Sequence, residues 1–296
     1  MKLFLICLLL AAALMATERF DVQRPDGSRL VAYIDMPDQE SFPIAIVLQG
    51  SQATSVLPQH EELREPLLSR GFAIATLEKK GIAGPGEIHQ KEYDESNSLD
   101  QRIDDHLLLI SKLRKRAGWN HKLAIIGLSE GGEVGGAVAA RTPETMAVLL
   151  FCSGGGWPRM EELLWSFRKQ LVGEKCSAHS IQAALVQSKD EFYKALENPS
   201  PTLRALGFSY KYWSATLRHH LMDDLSKLHC PIYYVQGVQD NRIPVASADY
   251  LVKALKDKPD LVYRRIEHLG HDPRQDPQVF DDALSWLEQR SRKSYR

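Results

Sequence analysis

Residues 123–136 read LAIIGLSEGGEVGG: an apolar strand-like run, a turn with the pattern Gly127-x-Ser129-x-Gly131, and a helix-like stretch. A serine at such a strand-to-helix turn sits on strained backbone, and a Cβ at either flanking glycine would strike neighbouring main chain. In that context Ser129 projects from the upper edge of a sheet. Outside it, the same residues are a glycine-rich turn with an incidental serine.

The rest of the chain supplies the sheet. A strand is expected over 28–36, joined through Asp26-Gly27 to the preceding FDVQR as a hairpin. Further short runs lie at 44–49, 72–77, 123–128, 146–151, 232–236 and 261–266. Most are continuously apolar, as central parallel strands covered on both faces must be. Helical patterns fall between them near 61–70, 99–117, 131–141, 246–256 and 277–290. Over 99–117, Leu99, Ile103, Leu107, Ile110 and Leu113 share one face, and Ser98-x-x-Gln101 forms a capping box in front. A leading hairpin followed by repeated βα units predicts an α/β fold with a mostly parallel, doubly wound sheet.

One connection breaks this rhythm. About eighty residues separate 146–151 from 232–236, several times what a βαβ crossover needs. This insertion carries Trp157, Trp165, Phe167, Phe192, Tyr193, Phe208, Tyr210, Tyr212 and Trp213 in helix-like stretches, with Pro199 and Pro201 as punctuation. Emerging beyond the carboxyl ends of the strands, it reads as a helical cap over a ligand pocket, although the same aromatics could simply pack it onto the body. The expected organisation is a core over 17–152, a cap over 153–230 and the rest of the core over 231–296. The polar stretch 80–97 reads as a mobile loop at the same sheet edge.

With 37 Lys and Arg against 38 Asp and Glu, there is no positive surplus to draw the chain to nucleic acid or an anionic bilayer. After Met1 and Lys2, residues 3–16 carry no charge and have the length of a signal-peptide core rather than of a membrane span. Residues 1–16 are therefore expected to be a signal peptide, the mature protein to start near residue 17 in the periplasm or outside the cell, and no stable membrane span to remain. Cys7 belongs to that segment. Cys152, Cys176 and Cys230 allow one disulfide plus a free thiol, or three buried thiols, and no pair has metal-ligand spacing.

A serine hydroxyl needs a base, and the base needs a carboxylate to hold its tautomer. Gly237-Val238-Gln239-Asp240 follows one strand, and Glu267-His268-Leu269-Gly270-His271-Asp272 follows the next. Ser129, Asp240 and His271 thus lie after three strands of one sheet and can converge at its edge. His268 competes as base and Asp272 as acid; Gly270, which frees the loop before it, favours His271. Acyl transfer also needs oxyanion donors. One is the N–H of Glu130; the other is expected from Gln49-Gly50-Ser51-Gln52, with Ser51 the chosen donor and Gln52 behind it. The Glu130 carboxylate either complements the helix dipole or faces the pocket, where it would disfavour acidic acyl groups. Glu78 and Lys79 read as a solvated loop or as part of the site rim.

On GLSEGG at 127–132, QGS at 49–51, GVQD at 237–240 and LGHD at 269–272, the chain resembles the α/β-hydrolase superfamily over essentially its whole mature length. Its Ser-Glu-Gly-Gly elbow and Leu-Glu-Lys-Lys-Gly at 77–81 are similar to bacterial dienelactone-hydrolase-like and prolyl-oligopeptidase-like enzymes. The resemblance implies that fold, an elbow nucleophile at Ser129, an acid at Asp240 and a base at His271. Gln49 stands where many members have His, a departure that touches the second oxyanion donor and not the triad. The expectation is a serine hydrolase acting on an ester or thioester, needing neither metal nor cofactor, with a small-molecule acyl substrate of apolar character. A peptidase or acyltransferase shares the same residues, and a catalytically silent binding protein is the alternative from another class.

Overall fold

The computed structural model describes residues 17–292, so the expected signal peptide lies outside the described residues. Strands β1 (Glu18–Gln23) and β2 (Arg29–Asp35) form the leading antiparallel hairpin, which turns at Gly27 with φ of 82°. There follow β3 (Phe42–Leu48), α1 (Leu57–Leu68), β4 (Ala73–Leu77), a short hairpin of β5 (Ile82–Gly84) and β6 (Glu87–Ile88), and α2 (Gln90–Ser96). Next come α3 (Leu99–Leu113), β7 (Trp119–Leu128), α4 (Glu130–Ala139) and β8 (Thr145–Phe151). The insertion comprises α5 (Arg159–Gly173), α6 (Ala178–Glu197), the paired β9 (Arg204–Ala205) and β10 (Phe208–Ser209), α7 (Tyr210–Arg218) and α8 (Leu221–Lys227). The chain closes with β11 (Ile232–Gly237), α9 (Val245–Ala254), β12 (Leu261–Ile266) and α10 (Pro277–Arg292).

Eight strands form one sheet in the order β1-β2-β4-β3-β7-β8-β11-β12, antiparallel through β1, β2 and β4 and parallel from there to β12. Alternation along each strand divides its side chains between two cores. On β7, Leu123 and Ile125 join residues of α3, α4, α8 and α9, whereas Ala124 and Ile126 join α1 and α10. The sheet is thus doubly wound, and its parallel strands send their carboxyl ends to a common edge.

The segment 80–97 holds β5, β6 and α2 rather than a plain loop, because Tyr93, only 2% exposed, packs against Gly81 and draws the segment in. The Ser98 hydroxyl accepts the Gln101 N–H at 3.2 Å, but the Gln101 side chain reaches forward to Asp105, so the capping box closes on one side only. Within 153–230, α8 does not belong with the cap: Leu221 and Leu225 are buried in the sheet core against α4. The rest of the insertion carries its own apolar cluster, with Phe192, Trp213 and Tyr212 buried at its centre. Cys152, Cys176 and Cys230 are all free thiols, which excludes the disulfide option among them.

Candidate active site

Ser129 stands between β7 and α4 with φ 53° and ψ −126°, backbone that a side-chain-bearing residue adopts only under constraint. The surroundings impose it. A Cβ on Gly131 would come within 2.1 Å of the Leu48 carbonyl oxygen, and one on Gly127 within 2.4 Å of the Gly132 Cα. The Ser129 N–H donates to the Phe151 carbonyl at 2.8 Å, pinning the turn to the end of β8.

Asp240 lies beyond β11 and is 4% exposed. One carboxylate oxygen accepts the N–H groups of Arg242 and Ile243 at 2.7 and 2.9 Å; the other accepts the Gln236 side-chain amide at 2.9 Å. These donors fix its orientation towards His271, whose Nδ1 is 2.9 Å from Asp240 Oδ2 and whose Nε2 is 3.0 Å from Ser129 Oγ. The histidine loop must press against the end of β11 to get there, since a Cβ on Gly237 would meet the Leu269 and Gly270 carbonyls at 2.2 and 2.4 Å. The two competitors are occupied elsewhere: His268 is exposed and bonds Asp276 at 2.8 Å, and Asp272 bonds Arg274.

Residues 49–52 cross directly over the serine. A Cβ on Gly50 would touch the Ser129 Cβ at 3.4 Å. Glu130 is the first residue of α4, so its N–H has no acceptor within the helix and opens onto the same cleft. The cleft, about 600 Å³, is bounded by Ser51, Gln52, Ser129, Glu130 and His271 on the body and by Phe167, Phe208, Tyr212 and Trp213 on the cap. Those aromatics do both things the sequence allowed: they pack on one another, Phe208 edge-to-face with Trp213 at 5.4 Å and stacked on Tyr212 at 4.0 Å, and they wall the cleft.

The charges beneath the cleft are the part that sequence reasoning placed wrongly or missed. Glu78 and Lys79 are buried, at 1% and 5% exposure, not solvated. Glu78 accepts the Val56 N–H at 2.9 Å and the Ser55 hydroxyl, while Lys79 Nζ donates to the Gly50 and Gln52 carbonyls at 2.6 Å each. Burial, with the Arg102 charge adding repulsion, pushes the Lys79 ammonium well below its ordinary value. The Glu130 carboxylate neither stands free at the helix end nor faces substrate bare, because Arg102 of α3 pairs with it and the Tyr212 hydroxyl of α7 donates to it. Burial opposes its ionisation, but Arg102 and Lys79 outweigh burial and hold its pKa below the ordinary carboxyl value. The bias against acidic acyl groups that a bare, pocket-facing Glu130 would impose has no basis, since Arg102 pairs with this carboxylate.

In the wall of the cleft, Arg159 of α5 lies 2.8 Å from Glu133 of α4 and 2.9 Å from Glu162, and Glu162 also accepts the Gly155 N–H and the Ser247 hydroxyl. Burial pushes Glu133 up to about 8, and its approach to Arg159 lacks hydrogen-bond alignment. The sequence signal for Arg102 was its place three residues after Leu99, on the side of α3 that also carries Leu109 and Leu113, where a charge needs a buried partner.

The family model described as serine aminopeptidase, S33 matches residues 45–278. No curated protein sequence matches the chain. Among solved structures it is similar to Est1E from Butyrivibrio proteoclasticus with ferulic acid bound (TM-score 0.67, 18% identity, covering 93% of this chain and 100% of that one). It is also similar to a 2,6-dihydroxy-pseudo-oxynicotine hydrolase (0.65, 20%, 92% and 67%). A third is a puromycin-hydrolyzing peptidase of Mycobacterium tuberculosis (0.64, 17%, 92% and 38%).

Proposed function

From the premise that the chain belongs to the S33 serine aminopeptidase family of α/β hydrolases, we propose that it is a serine hydrolase cleaving small esters or thioesters through an acyl-enzyme on Ser129. The observation that carries this reading is the line Ser129 Oγ to His271 Nε2 at 3.0 Å and His271 Nδ1 to Asp240 Oδ2 at 2.9 Å, with the serine on strained backbone. His271 takes the hydroxyl proton as Oγ attacks the carbonyl carbon; Asp240 holds the ring tautomer and the imidazolium that forms. The oxyanion is met by the N–H groups of Glu130 and Ser51. His271 then hands its proton to the leaving group, and water, deprotonated in turn by His271, releases the acid.

The aromatic wall of Phe167, Phe208 and Trp213 supports an apolar, planar acyl group, in keeping with the ferulic acid held by one structural neighbour. Peptide cleavage is the second reading, favoured by the family's description and by a peptidase among the neighbours. Residues 1–16 complete the proposal as an export signal.

Fluorophosphonate labelling of the chain from residue 17, with Ser129→Ala and His271→Ala alongside, tests the core of it. The expected result is an adduct on Ser129 that both variants lose. A folded wild-type chain that takes no adduct would sink the hydrolase reading. A panel of aryl esters, thioesters and aminoacyl amides then separates esterase from peptidase, and N-terminal sequencing of protein recovered outside the cytoplasm tests export.

A further inference from the structure

Resting on the serine-hydrolase reading, we infer that Lys79, with Arg102 and Tyr93, is a positioning residue for the oxyanion donors of the 49–52 loop. The loop's four consecutive carbonyls are each held from below by a side chain of another element. Arg102 donates to Gln49 O, Lys79 Nζ to Gly50 O and Gln52 O at 2.6 Å each, and the Tyr93 hydroxyl to Ser51 O at 3.2 Å. Arg102 also approaches Gly50 O, at 3.5 Å.

The consequence follows from peptide geometry. Every described peptide bond is trans, so the carbonyl of one residue and the N–H of the next point in opposite directions across one rigid plane. Anchoring Gly50 O on Lys79 therefore aims the Ser51 N–H away from Lys79, and anchoring Ser51 O on Tyr93 does the same for the Gln52 N–H. With the Gly50 backbone against Ser129, those donors face the cleft that the nucleophile faces. Arg102 extends the arrangement to the other donor, since the same guanidinium that holds Gln49 O pairs with the Glu130 side chain, and Glu130 supplies the elbow N–H. One buried cationic cluster thus sets both halves of the oxyanion hole, and the ammonium touches no substrate.

The strand end is fixed through the Gln49 carbonyl by Arg102, a contact indifferent to the side chain at 49.

The test compares the wild type with Lys79→Met, which keeps the stem and removes the donors. Measurements are the rate of fluorophosphonate labelling and kcat and KM on a p-nitrophenyl ester, with the pH profile of kcat recorded for both. Misaimed donors weaken stabilisation that exists only in the transition state, so kcat and labelling rate should fall about tenfold to a hundredfold. KM should stay within about twofold, because ground-state binding does not use those donors. The profile should keep its shape, His271 being untouched. Labelling and kcat at the wild-type level in folded Lys79→Met would overturn the inference alone; an inert, unlabelled wild type would bring down the hydrolase reading together with it. Should Lys79→Met not fold, Tyr93→Phe removes one hydroxyl from Ser51 O and keeps the ring. It is expected to slow labelling several-fold at unchanged KM, and an unchanged rate would count against the inference equally.

Discussion

Replacing Arg159 with Met should loosen the cap from the body more than any surface change could. The guanidinium reaches from α5 to Glu133 at 2.8 Å on the elbow helix and to Glu162 at 2.9 Å, and its side chain is 10% exposed. Removing one partner of a buried ion pair leaves an uncompensated charge and costs about 3–5 kcal/mol. Two features pull the value toward the lower end. Burial holds Glu133 protonated up to about 8, so at neutral pH it gives up little when the cation goes. Glu162 keeps the Gly155 N–H at 2.8 Å and the Ser247 hydroxyl as donors. About 3 kcal/mol at pH 7 is the expected loss, read as a fall in the urea midpoint at constant m. Glu162→Gln in the same background should restore much of it, because the remaining charge is then gone. A loss under about 1 kcal/mol, or no rescue by the second change, would refute the view that this arginine neutralises a buried carboxylate.

Glu133 itself should give the protein an alkaline sensitivity. Its carboxyl is raised to about 8 in the fold from 4.5, so the folded state binds the extra proton; that stabilisation is complete below about pH 4.5 and is lost as pH rises through about 8. Glu133→Gln should flatten the decline, and urea midpoints that run parallel from pH 5 to 9 in both proteins would contradict it. His106 acts at the other end. Burial lowers it to about 4 from 6.5, and it bonds the Arg102 carbonyl at 2.7 Å while neutral. Its contribution is present above about pH 6.5 and lost as pH falls through about 4, so His106→Gln should lessen acid unfolding in that window by a few kcal/mol, measured by the same midpoints.

The sequence carried the sheet almost entirely, because parallel strands buried on both faces must be continuously apolar. The runs 44–49 and 146–151 became β3 and β8 with ends moved by two residues or fewer, while 261–266, carrying the exposed Arg264 and Arg265, became the edge strand β12. The elbow was legible for a different reason: only glycine tolerates the 2.1 and 2.4 Å approaches at positions 131 and 127, so the pattern is a steric necessity written in residue types. Asp240 and His271 were legible because chain order and strand ends limit where they can meet. The partners of Arg102, Lys79, Glu133 and Arg159 were not. A charged side chain taken alone reads as solvent-facing, and each of these is buried only because a partner from a distant element arrives to share the cost of desolvation. Tyr212 on α7 and Glu130 on α4 are 82 residues apart, and no local pattern in either helix refers to the other.

Buried charge also sits elsewhere, in Arg24–Asp105 and in Asp35 with His60, but the largest group gathers under the sheet edge that carries Ser129. The Arg102–Glu130 ion pair and the contact of Arg159 with the Glu133 carboxyl both end on α4, the helix that follows Ser129, and Lys79 ends on the loop that crosses it. Buried ion pairs contribute little net stability compared with apolar packing, so stability alone gives no reason to put them there. Directional bonds, however, fix a peptide plane in a way that apolar contacts cannot, and a donor for a transition-state oxyanion needs a fixed plane more than a strong attachment. The same helix also receives Tyr212 and Arg159 from the cap, so the aromatic wall of the cleft is registered against Ser129 and the Glu130 N–H. On this argument Tyr212→Phe should leave the sheet's stability nearly intact and alter kcat/KM chiefly for acyl groups large enough to touch Phe208 and Trp213. Equal effects on acetyl and aryl esters in a p-nitrophenyl series would show that the hydroxyl serves folding and not registration.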